Sequence, residues 1–202
     1  IIDKPGSVGL AQPGVELKID SETSEILMRG PFMMKEYYKQ PELTSEVIKD
    51  SWLHTGDQGH IDTDGFLFIT GRVKDIFKTS KGKYIEPLVL EGYFGDILEF
   101  EQICIVGLGL PQPICLGVLS EIGLVKPKDE LRKYFSDYLE KVNAQLLGYK
   151  KISTLILIKD PWAVENGLMT PTLKIKRNKI DKVYEKNYMN WHKDEANVIF
   201  ED

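Results

Sequence analysis

At 202 residues, with 42% apolar side chains, the chain is long enough for one or two domains with a real core. Its formal charge is −5, and its 26 Lys and Arg are scattered and form no continuous stripe, which argues against a nucleic-acid partner. No run approaches the ~20 apolar residues of a membrane span and no charged-then-apolar leader opens the chain, so a reducing, cytoplasmic setting is expected.

Ile1 to Gly9 lacks a starting Met and reads as the interior of a longer protein. Two alternating segments follow, VELKI at 15–19 and EILMR at 25–29, separated by the turn-forming residues 20–24, and together they predict a β-hairpin. Pro41 followed by Glu42 opens a short helix in PELTSEVI, because a fixed φ and an early acid suit a first turn. Strands are expected around His60–Asp62 and at 66–71, joined by the tight turn Asp62-Thr63-Asp64-Gly65, with Trp52 and Phe66 packed beneath the turns. The first part of the chain thus reads as a β-rich unit with one small helix, part of a barrel-like subdomain.

After Arg72 the texture changes. VKDIF predicts a short strand, KTSKGK a polar loop, and Pro87 opens a helical stretch in LVLEGYFGDIL. Strands are expected at 102–107, 114–119 and 153–160. The longest helix begins after Pro127 and sets Leu131, Tyr134, Phe135, Tyr138, Leu139, Val142 and Leu146 on one face. GLMTPTLKIKR at 167–177 reads as a Pro-interrupted loop and IDKVYEKNY as a short charged helix, with the aromatic tail NYMNWHKDEANVIF docking on its own domain. The two cysteines, Cys104 and Cys115, lie in apolar runs and are expected to be buried and reduced. The three histidines are dispersed and lack metal-ligand spacing. The fold class expected is α+β, with a β-rich unit over 1–72 and a small α+β domain over 73–202.

The chemistry concentrates in WLHTGDQGHIDTDGFLFITGRVKDIFKTSKGKYIEP. Asp57 sits in a Thr-Gly-Asp turn and Arg72 at the end of a strand; a carboxylate can accept both hydroxyls of a ribose, and a guanidinium can grip a phosphate or sugar hydroxyl. Taken singly, both features are common in ordinary turns and solvated strand ends.

Their arrangement, with Thr-Gly-Asp, then Asp-Gly, then Gly-Arg-x-Lys-Asp, resembles the adenylate-forming superfamily of acyl-CoA synthetases, luciferases and peptide-synthetase adenylation domains. YKQPELTSEVI and ENGLMTPTLKIKRNKI look like the long-chain fatty acyl-CoA synthetase branch, and the resemblance covers almost the whole chain. It implies that residues 1–72 are the β-rich end of a large adenylating domain and that 73–202 form a small mobile C-terminal domain. The chemistry implied is adenylation of a fatty acid by ATP, with release of pyrophosphate, followed by attack of CoA on the acyl-adenylate.

The resemblance also implies roles. Asp57 would hold the ribose of AMP, Arg72 its ribose and phosphate, and Lys78 would face the nucleotide. Lys74 would be the hinge, a role that the change of texture at 72–75 suits independently. Lys174 would be the catalytic lysine, bridging carboxylate and α-phosphate as negative charge builds. Lys81 and Gly82 would meet CoA after rotation. Leu173 departs from the Gly that many relatives carry before this lysine, a substitution common in the fatty acyl branch. Lys174, Lys176, Arg177 and Lys179 read without their flanks as a solvated basic stretch.

No Gly/Ser/Thr-rich phosphate loop, magnesium-holding acid or acyl pocket is present, and in the family these precede the segment that begins here. The chain is therefore expected to be the C-terminal part of an enzyme and inactive alone, with fatty acid, ATP, CoA and its own N-terminal domain as partners. Long acyl substrates partition into bilayers, so peripheral membrane contact is compatible with the cytoplasmic setting. The alternatives are a fatty acyl-AMP ligase, another acid-adenylating enzyme, or a non-catalytic binding module on the same fold.

Overall fold

A computed structural model describes residues 4–201; Ile1–Asp3, part of the stretch read as the interior of a longer protein, lie outside the described residues. The chain divides into two compact units, Ile1–Lys74 and Asp75–Asp202.

The first unit is built on one antiparallel sheet. β1 (Glu16–Ile19) and β2 (Glu25–Arg29) form the expected hairpin, with Glu16 opposite Arg29. Its turn is set by Asp20, whose Oδ1 accepts the backbone N–H groups of Glu22 at 3.1 Å and Thr23 at 2.9 Å. α1 (Pro41–Val47) begins on its proline with Glu42 in the first turn, and β3 (Ile48–Lys49) follows. β4 spans Trp52–Ile61 and pairs with β2 on one edge and with β3 and β5 (Leu67–Arg72) on the other. Asp62 closes the 62–65 turn, its Oδ1 accepting from the N–H groups of Asp64 and Phe66, each at 2.9 Å.

Two expectations are corrected here. β4 starts at Trp52, well before His60, so Thr55-Gly56-Asp57 lies inside a strand and is not a free turn. Among the described residues the sheet is open and not closed into a barrel, because β4, at its centre, uses both edges while β1 pairs only with β2. Phe66 is buried with Ile26, Leu27 and Leu67; Trp52 is half-buried beneath the Arg29 guanidinium, 4.7 Å from its ring centre.

The second unit has a four-stranded mixed sheet, ordered β11 (Val198–Phe200), β10 (Leu155–Ile158), β9 (Ile114–Leu119), β8 (Phe100–Val106). β10 runs parallel to both β9 and β11, and β8 antiparallel to β9. LILI of β10 is buried throughout because both faces of the sheet are covered. Ile105, Cys115, Leu155, Leu157 and Val198 pack with α2 (Pro87–Glu91) and α4 (Lys128–Ala144) through Leu90, Leu131, Phe135, Leu139 and Val142. The alternate residues Cys104, Val106, Leu116, Ile156 and Ile158 pack with Ile180, Tyr184 and Tyr188 of α5 (Arg177–Lys193). α3 (Glu121–Leu124) is capped by Ser120, whose hydroxyl accepts from the Gly123 N–H. Burial of this kind contributes roughly 1.5–3 kcal/mol per large apolar side chain, which makes the sheet and its two helical layers the stable frame of the unit.

VKDIF is not a strand. Val73–Asp75 form one 3-10 turn and only Phe77–Lys78 extend, as β6, pairing with β7 (Tyr84–Ile85). The final helix, expected to be short, runs for 17 residues, and the tail beyond it adds β11 to the sheet. Cys104 and Cys115 are free and buried, and burial pushes the Cys104 thiol up to about 12. No helix among the described residues is long and apolar enough to cross a membrane.

Candidate functional site

In the first unit, Thr55, Gly56 and Asp57 of β4 all fall between the pairs Leu27–His54 and Glu25–Gln58, opposite the single residue Ile26. The extra residues make a bulge, which re-aims the side chain at its end. The bulge is pinned from within the sheet. Thr55 Oγ1 donates to the Ile26 carbonyl at 2.8 Å and accepts the Asp57 N–H at 3.1 Å. Glu25 reaches across from β2: its Oε1 accepts the Gly56 N–H and its Oε2 meets His54 Nδ1, both at 2.8 Å. Gln58, buried next to the bulge, donates from Nε2 to the Thr23 carbonyl.

Asp57 and Arg72 are cross-strand partners on β4 and β5, and Arg72 Nε lies 2.9 Å from Asp57 Oδ1. The Asp57 side chain is 33% exposed and Arg72 58%, so both stay open to a ligand. Among the described residues nothing else pairs with this guanidinium, whose terminal amino groups are available to an anion. Lys74, in the 3-10 turn, is exposed.

In the second unit, Lys78, Lys81 and Gly82 share the β6–β7 hairpin. Lys78 lies opposite Tyr84 with its ammonium 4.8 Å from the ring centre, and its carbonyl accepts the Gly109 N–H. Gly82 has φ +73° and open space where a Cβ would be, so glycine serves the left-handed turn there; nothing approaches the position closely. Lys81 is exposed.

The TPTLK segment is not an irregular loop. Thr170 and Lys174 are joined by the Thr170 N–H to Lys174 carbonyl bond at 2.8 Å, Met169 bridges Ile175, and the three residues between Thr170 and Lys174 form a tight hairpin loop. Pro171 opens the loop, the Leu173 N–H bonds the Thr170 carbonyl at 2.8 Å, and the Lys174 N–H bonds Thr170 Oγ1 at 3.0 Å. The Lys174 ammonium has no ion-pair or hydrogen-bond partner among the described residues and is exposed.

Leu173 closes this loop at φ +58° with its side chain 70% exposed, in the position where three-residue hairpin loops favour glycine. Leu173→Gly should therefore raise stability by about 1 kcal/mol through relief of left-handed strain. Urea unfolding measures this, and a destabilised variant would contradict it.

The structure thus brings Asp57 and Arg72 together, places Lys78, Lys81 and Gly82 on one hairpin, and puts Lys174 on another. Sequence reasoning missed Glu25 and His54, because Glu25 in an alternating strand looks solvent-facing and only register shows where its carboxylate goes. It also grouped Arg177 with a solvated basic stretch, whereas its guanidinium is buried against Glu91 at 2.7 Å. Among the described residues no group of three or more His, Cys, Asp or Glu could hold a metal ion.

No protein-family model matches the chain. It is 33% identical to long-chain-fatty-acid–CoA ligase 5 of Rattus norvegicus over 80% of this chain and 26% of that protein. It is 32% identical to the chloroplastic long-chain-fatty-acid–[acyl-carrier-protein] ligase AEE15 of Arabidopsis thaliana, over 89% of this chain and 28% of that protein. The chain spans between a quarter and a third of the length of these relatives. Among solved structures it superposes with TM-score 0.75 on the A domain of a carboxylic acid reductase from Segniliparus rugosus, in complex with AMP and a co-purified carboxylic acid, at 22% identity, covering 90% of this chain and 31% of that chain.

Proposed function

Since the chain is homologous to long-chain acyl-CoA synthetases and has the fold of adenylate-forming enzymes, we propose that it is the C-terminal part of an AMP-forming long-chain fatty acyl-CoA synthetase. The reaction has two steps. A fatty acid carboxylate oxygen attacks the α-phosphorus of ATP and expels pyrophosphate; the CoA thiol then attacks the acyl carbon, loses its proton, and releases AMP.

The observation that carries this reading is the Asp57–Arg72 pair, two opposite charges held 2.9 Å apart across β4 and β5, with Asp57 at the end of a bulge whose Gly56 and Asp57 N–H groups are both bonded inside the sheet. Asp57 accepts from the two ribose hydroxyls, and the free edge of Arg72 binds the ribose and α-phosphate. Lys78 faces the nucleotide. The chain pivots at Lys74, an exposed residue of the 3-10 turn. Lys174 brings an unpaired point charge to the reacting carboxylate and phosphate, and the β6–β7 hairpin, with Lys81 and Gly82, lines the path of CoA after rotation. On this reading the magnesium ligands, the phosphate loop and the acyl pocket belong to a segment that precedes these residues. The isolated chain has negligible synthetase activity, and the whole enzyme acts in the cytoplasm with peripheral access to bilayer-dissolved acids.

A second reading keeps the adenylation step and changes the acceptor, supported by the relative named as an acyl-carrier-protein ligase. Supplying CoA or acyl carrier protein to preformed acyl-adenylate separates the two.

AMP titration of the full-length protein tests the site. Asp57→Ala should weaken AMP about 10–100-fold, the value of charge-assisted hydrogen bonds worth about 1.5–3 kcal/mol. Unchanged affinity would remove Asp57 from the ribose site.

A further inference from the structure

We infer that Arg177 is a positioning residue for the Lys174 hairpin, anchoring it to the segment that follows Lys74; this rests on the reading of Lys174 above. Arg177 is the first residue of α5, three residues after Lys174, and its side chain is only 13% exposed. Its Nη2 donates to Glu91 Oε1 at 2.7 Å, and its Nη1 donates to the Ile105 carbonyl and lies 3.0 Å from Cys104 Sγ. The same Glu91 oxygen accepts the Ile105 N–H at 2.8 Å. One carboxylate and one guanidinium therefore fasten the end of α2, the end of β8 and the start of α5 at a single point.

The hairpin is attached directly to that point. The Lys176 N–H bonds the Leu168 carbonyl at 2.8 Å, closing the base of the hairpin one residue before Arg177. On its remaining side, Arg177 Nε makes no hydrogen bond among the described residues and faces Asp75 Oδ2 at 3.8 Å, next to Lys74. The anchor thus links the base of the Lys174 hairpin to Asp75, the residue that follows the expected pivot.

Local preference runs against this residue. A cation in the first turn of a helix meets the positive end of the helix dipole, and a buried guanidinium must be desolvated. An apolar residue would hold the helix without either cost. What the planar, multiply bonded guanidinium adds is a fixed direction and register, and a misplacement of about 1 Å at a reacting group can cost about 10²-fold in rate.

The test uses the full-length ligase and assays both steps separately, pyrophosphate release for adenylation and acyl-CoA formation from supplied acyl-adenylate for the second. Arg177→Met should slow adenylation about 10²-fold and leave the second step within a few-fold of wild type, and Arg177→Met combined with Lys174→Ala should be no slower than Lys174→Ala alone. Arg177→Lys keeps the charge but not the forked bonding, so it should lose about 10-fold in adenylation, and it carries the test if the Met variant does not fold. Equal loss in both steps, or additive loss in the double variant, would make Arg177 a support of the domain only and overturn the inference, as would unchanged adenylation in both variants. If Lys174→Ala itself is without effect, the reading of Lys174 fails first, and the inference with it.

Discussion

Lys174→Ala in the full-length protein should reduce acyl-adenylate formation by about 10²–10³-fold, the usual cost of removing one group that stabilises transition-state charge. Three features make the loss specific. The side chain is exposed and unpartnered among the described residues, so its removal breaks no ion pair or hydrogen bond there and thermal stability should be unchanged. The hairpin is held by backbone bonds and by Thr170 Oγ1, none of which uses the ammonium. The charge matters only while the carboxylate attacks phosphorus, so acyl-CoA formation from supplied acyl-adenylate should persist. Equal loss in both steps would instead point to a disturbed domain, and no loss would return Lys174 to a solvated basic stretch.

Gly59→Ala should destabilise the first unit by about 1–3 kcal/mol, the range for overpacking a closed site. A Cβ there would sit 2.3 Å from the Phe68 carbonyl oxygen and 2.9 Å from Ile26 Cδ1. A flexible side chain could swing aside, but the Phe68 carbonyl belongs to β5, so β4 and β5 must part where a register shift already lies between Gln58 and Gly59. Since Asp57 and Arg72 are paired across those two strands, AMP affinity of the folded variant should fall as well. Urea unfolding and AMP titration measure the two effects, and wild-type values in both would show that the strands tolerate the separation.

The residue types of the candidate site can be read from the sequence because they depend on type and order: Thr-Gly-Asp, Gly-Arg-x-Lys-Asp and TPTLK stand there. Their local geometry cannot. Thr-Gly-Asp reads as a turn, yet it is a bulge, since what holds it is the carboxylate of Glu25, 31 residues away from Gly56 along the chain and adjacent only through β2–β4 register. VKDIF has the apolar alternation of a strand, but the chain bends at Val73–Asp75 before two residues of β6. The hairpin at 15–29 and the helix after Pro127 were legible because their signals are local, an Asp-initiated turn in one and i, i+4 spacing of Leu131, Phe135 and Leu139 in the other. β11 was hidden because VIF is too short to carry a period and is a strand only beside β10. Arg177 was illegible for the same reason: its charge is satisfied by Glu91, 86 residues earlier.

The measurement that bears most directly on the account is pyrophosphate release by the full-length protein with ATP across straight-chain acids from acetate to oleate, with aryl and amino acids alongside. The account predicts turnover that rises toward the long acids. Preference for an aryl or amino acid would contradict the fatty acyl assignment, and no pyrophosphate release with any acid would leave the chain a binding module on an adenylate-forming fold.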